Sequence, residues 1–82
     1  MLVSLNKNQW LWAYIYEKVD SMDPEFRNYL VTNFSKTRPE EIKTQVLRKF
    51  ETFGYKVKLT SSKDAIISMK EEEYMFLKLK YQ

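Results

Sequence analysis

Cysteine and histidine are both absent from this 82-residue chain, glycine occurs once and proline twice. Without cysteine there is no disulfide framework. Without either residue there is no conventional zinc site, because thiolates and imidazoles supply nearly all such ligands. The same absences remove the usual general base near neutral pH and the most reactive nucleophile, so no enzymatic activity is expected. A single glycine cannot build a phosphate-cradling loop. No run of about 20 apolar residues exists to cross a bilayer, and Met1-Leu2-Val3-Ser4-Leu5 lacks the basic start and long apolar stretch of a signal peptide. Secreted domains this short usually carry bridges. A cytoplasmic protein with no cofactor, no metal and no membrane contact is the expectation.

What is present is apolar bulk: 44% hydrophobic residues and 16% aromatic. A chain of this length makes one domain, here residues 1–82, and buries only about 60–65% of the surface its unfolded form exposes, so packing alone must supply the core. Scarcity of glycine and proline argues against disorder. The net charge of +3 is mildly basic, which suits a nucleic-acid partner without requiring one. Enrichment in Lys, Tyr and Asn at the expense of Gly, Pro and Ala is the composition of AT-rich coding, pointing to a viral or other mobile element.

The first half of the chain has helical period. A helix is expected over 7–19, with Asn6 and Gln9 as a capping box and Leu11, Tyr14, Ile15 and Val19 on one face. The alternation of Trp10, Trp12, Tyr14 and Tyr16 with Leu11, Ala13 and Ile15 also suits a strand buried on both sides. A second helix is expected over 24–35, capped by Asp23, with Pro24 in the first turn and Phe26, Tyr29, Leu30 and Phe34 at helical spacing. A third is expected over 38–53, with Thr37 as cap, Glu40 in the capping-box position and Ile42, Val46, Phe50 and Phe53 as its buried stripe. Gly54 sits where a left-handed residue would end it.

After Gly54 the period changes to two. Strands are expected at 55–60, 65–70 and 74–81, joined by turns at Ser61 to Asp64 and at Lys70 to Glu73. A C-terminal helix is the rival for 74–81, and residues 2–5 are open between strand and loop. The fold class is therefore α+β, three helices followed by a small antiparallel meander. The run from Thr37 to Leu59, an N-capped helix ending in Phe-Glu-Thr-Phe-Gly-Tyr-Lys-Val-Lys-Leu, resembles the recognition helix and first wing strand of winged helix-turn-helix domains. These commonly show a Leu-Glu-x-x-Gly-hydrophobic junction there. The resemblance covers about the middle two-thirds of the chain and implies a DNA-binding transcription regulator.

Three features could carry function. On the third helix, Glu41, Thr44, Gln45, Arg48, Glu51 and Thr52 are expected to face outward; Gln45 suits adenine and Arg48 suits guanine, whereas the carboxylates do not suit a surface between phosphate rows. On the meander, Lys56, Lys58, Lys78 and Lys80 are expected to share one face with Tyr74 and Phe76, and Lys63 to lie in the adjoining turn. Such a face tracks a nucleic-acid backbone, or simply protects edge strands from aggregation. On the first helix, Trp10, Trp12, Tyr14 and Tyr16 sweep too much circumference for one core, which suits a protein interface through Trp10, Trp12 and Tyr16 or plain core filling. The runs Glu40-Glu41 and Glu71-Glu72-Glu73 read as a helix-dipole partner and a solvated turn. The partner is thus nucleic acid or, alternatively, a host protein captured by a small inhibitor or adaptor; a second copy of the chain is a further candidate.

Overall fold

The alternating aromatics at 10–16 belong to a helix. In the computed structural model, which describes residues 1–61 and 64–82, α1 spans Leu11–Met22 and buries Leu11, Ile15 and Val19 at four-residue spacing. Its start is later than 7 because the preceding residues are used elsewhere. The Asn6 N–H donates to the Asp64 carboxylate at 3.1 Å, and the Asn8 side chain donates to the Ser4 carbonyl at 2.9 Å. The capping box of Asn6 and Gln9 does not form, and Trp10 precedes the helix without a side-chain cap.

One residue turns the chain into α2, Pro24–Asn33. Asp23 adopts an extended φ of −146°, its own N–H closes α1 on the Val19 carbonyl, and its carboxylate accepts from the Phe26 N–H at 3.2 Å. The expected cap is thus in place. Lys49 reaches the same carboxylate at 2.7 Å and ties the end of α3 to this corner. A 3-10 turn, Phe34–Lys36, follows; of Phe34 only the backbone is described.

Helix α3 spans Pro39–Thr52 and buries Ile42, Val46, Leu47 and Phe50, with Phe53 half-buried beyond its end. Arg38, not Thr37, holds the cap position, with an extended backbone at φ −68° and ψ 147°. The residue before a proline is pushed out of the helical region by the ring, so the helix cannot start earlier. Gly54 ends it at φ +100°, as expected of the only residue without a Cβ to clash there.

Strands β1 (Leu2–Ser4), β2 (Lys56–Ser61) and β3 (Asp64–Ser68) form an antiparallel sheet in the order β1-β3-β2. Residues 2–4 are therefore a strand. Val3, Ile67 and Val57 make one inward row, and the opposite face carries the rows Leu2, Ser68, Lys56 and Ser4, Ile66, Lys58. The ladder extends to the Met69 N–H on the Met1 carbonyl.

The expected third meander strand at 74–81 is overturned: residues Glu71–Tyr81 form α4. Among the described residues the chain thus has four α-helices, not three, and a three-stranded sheet whose third member is N-terminal. Three carboxylates in the first turn of α4 and Lys78 and Lys80 in its last match the polarity of a helix dipole. Tyr74, Leu77 and Tyr81, spaced three and four apart, face α1. Tyr74 donates to the Asn8 side chain at 2.8 Å and lies against Trp10 at 5.7 Å between ring centroids. Leu77 is buried, and Tyr81 donates to Glu17 at 2.6 Å. Phe50 stacks on Tyr55 at 4.1 Å, and Tyr14 closes the aromatic cluster edge-on to Phe50 and Tyr81. Burial of Tyr14, with its hydroxyl 3.3 Å from that of Tyr55, pushes its phenol well above the usual range. Among the described residues no helix is long and apolar enough to cross a membrane.

Candidate nucleic-acid interface

With Ile42, Val46, Leu47 and Phe50 turned inward, the opposite face of α3 is open. Arg38, Glu41, Gln45 and Arg48 succeed one another at steps of three or four residues, the spacing that keeps side chains on one helical face. The stripe runs for about 15 Å at 1.5 Å per residue. Arg38, Glu40, Glu41, Thr44, Gln45 and Arg48 line one shallow depression of about 380 Å³. Arg48 also borders a smaller recess, about 180 Å³, whose far wall is Val57 and Leu59 of β2. The helix face therefore continues onto the hairpin strand beside it.

The electrostatics of this surface are mixed. Two guanidiniums and two carboxylates line the larger depression, so it is close to neutral in sum. Among the described residues the ion pairs are Arg27 with Asp20 and Lys49 with Asp23, which leaves Arg38 and Arg48 without a carboxylate partner. Thr44 donates to the Glu40 carbonyl at 3.0 Å, so its hydroxyl proton is turned back onto its own helix. Gln45 and Arg48 are the donors in reach of a ligand edge, and Glu41 is an acceptor.

The other expected site residues are dispersed. Lys56 and Lys58 are exposed, but they project from the sheet face opposite the core, in rows with Leu2, Ser4, Ile66 and Ser68. Lys78 and Lys80 are on α4, so the four lysines do not form one sheet face. Tyr74 packs inward against Trp10, whereas Phe76 is exposed. Lys63, with Ser62 beside it in the turn, lies outside the described residues.

Of the first-helix aromatics, Trp10 and Trp12 are half-buried and pack against the core. Trp12 lies 5.8 Å from the Tyr16 ring, and the Lys43 ammonium sits 5.3 Å over its centroid, a cation–π contact. Tyr16 is exposed and borders an apolar groove of about 530 Å³ with Val19, Phe26, Leu30, Val31 and Ile42. Its phenol is raised by burial of that one side.

Arg38 was absent from the expected surface, and Glu41 was expected to face outward there but not to bind. The signal for them was the helical period itself: once Gln45 and Arg48 face outward, positions seven and four before Gln45 do too. Among the described residues no three carboxylates converge to hold a metal ion. Comparison with protein-family models, with curated proteins and with solved structures finds no match for this chain.

Proposed function

We propose that this protein is a small, non-enzymatic DNA-binding module of winged-helix type, with α3 as the reading helix and the β2–β3 hairpin as the flanking wing. The observation that carries the reading is the stripe of exposed Arg38, Glu41 and Arg48 with half-buried Gln45 among them, continuous at Arg48 with β2. A helix of this width enters the major groove of a duplex, where residues on its outer face meet base edges. Arg48 suits the O6 and N7 acceptors of guanine, Gln45 suits adenine, and Glu41 suits the amino group of cytosine. The carboxylates thus take a reading role, at the cost of phosphate attraction. Arg38, Lys56 and Lys58 are the cations left for the backbone.

Fluorescence anisotropy with a duplex library tests this. Binding is expected with a shallow salt slope of about −3, since about three phosphate contacts are on offer. Arg48→Ala should weaken selected sites by about 1–3 kcal/mol and relax one base position. Lys58→Glu should weaken all sequences alike. Absence of duplex binding at low salt, or identical site preference in Arg48→Ala and Gln45→Ala, would sink the reading.

A second reading, a protein-binding inhibitor or adaptor, is favoured by the apolar groove beside Tyr16. Loss of partner capture in Tyr16→Ser with duplex binding intact would support it.

A further inference from the structure

The outer face of α4 is apolar and uncovered. Met75, Phe76 and Leu79 are 52%, 65% and 85% exposed, while Leu77, on the opposite side of the same helix, is 4% exposed. Leu79 lies four positions after Met75 and three after Phe76, so the three make one stripe. An apolar stripe on an 11-residue helix, flanked by charge at both ends, is the form of a helix-pairing surface.

We propose that α4 is a homodimerisation helix, and that two copies of the chain pair through it in antiparallel orientation about a two-fold axis near Phe76. Charge selects the occupant and its direction. Glu71, Glu72 and Glu73 occupy one end of α4 and Lys78 and Lys80 the other. An antiparallel copy with Phe76 on the axis sets Glu72 of each chain opposite Lys80 of its partner, places Met75 near the partner's stripe, and opposes the helix dipoles favourably. A parallel copy would set acidic end against acidic end. Lys80 rests 5.4 Å over the Tyr81 ring at the flank of the stripe, within a side-chain swing of that position. A helix about 16 Å long buries less than the roughly 1,600 Å² of a standard stable interface. An interface this small belongs to the weak, transient class, so a micromolar constant is the expectation. Dimerisation places a second α3 on the same particle.

The test is sedimentation velocity of the full chain from about 1 to about 300 µM, the range that brackets a micromolar constant. The wild type is expected to pass from monomer to dimer across it. Leu79→Glu should raise the dimer dissociation constant on the order of tenfold or more, with an unchanged circular-dichroism spectrum because the side chain is outside the core. Glu72→Lys should weaken the dimer several-fold, and adding Lys80→Glu to the same chain should restore it. Because the chain has no cysteine, Phe76→Cys gives a background-free second readout: oxidation should cross-link it to itself, and Glu72→Cys should not cross-link to itself. A chain monomeric at every concentration, a dimer indifferent to Leu79→Glu, or efficient self-cross-linking of Glu72→Cys would overturn the proposal.

Discussion

Asp64 opens β3, and its carboxylate gathers three neighbours: the Asn6 N–H at 3.1 Å, the Ser4 hydroxyl at 3.0 Å and the Ala65 N–H at 2.8 Å. These hydrogen bonds, the one from Asn6 foremost, hold its acid below the ordinary carboxylate range, as the bond to Lys49 does for Asp23. A carboxyl whose folded pKa is depressed adds stability above its unfolded value of about 3.9 and loses it as pH falls through the folded value. We predict that Asp64→Asn melts at a lower temperature than wild type at pH 7. The gap should close as both are titrated from about pH 5 toward pH 2. Thermal melts across that range check it, and a gap independent of pH would assign the effect to shape and not to charge. Nothing in the sequence marked Asp64 for this work, because two of its three partners, Ser4 and Asn6, lie about 60 positions away.

The helices and the hairpin differ in how openly the sequence declared them. Helix α3 was legible from local chemistry: a proline at its start, a glycine at its end and one apolar stripe between. Gln45 and Arg48 were found together for that reason. The segment after Lys70 was misread because it is apolar on two faces, Leu77 inward and Met75, Phe76 and Leu79 outward. Such a helix has no single stripe, and its alternation imitates a strand. The readable sign was the run of glutamates in its first turn and lysines in its last, in the order a helix dipole favours. The lysine face at 56, 58, 78 and 80 failed with that element. The two readings separate on substitution. In the helix, Leu77→Ala should cost about 2–4 kcal/mol, and Leu79→Ala should stay within about 0.5 kcal/mol in dilute, monomeric protein. Residues 77 and 79 would share a face in a strand, so comparable losses in urea melts would contradict the helix.

At the scale of the molecule, the sheet joins strands from distant parts of the chain. β2 and β3 are neighbours in sequence, but β1 reaches β3 only after three helices have intervened. Pairing across so long a loop carries a larger closure cost than the hairpin does. We therefore predict that β1 docks after the folding transition state. Val3→Ala should speed unfolding several-fold and leave the folding rate within about twofold, read from the two arms of a chevron plot; a slowed folding arm would place β1 in the nucleus. The same topology has a consequence for biosynthesis. At about 5–20 residues per second, the partner strand follows β1 out of the ribosome by about 3–12 s. Throughout that interval Leu2 and Val3 form an unpaired apolar edge on the nascent chain, and shielding it falls to whatever binds there first.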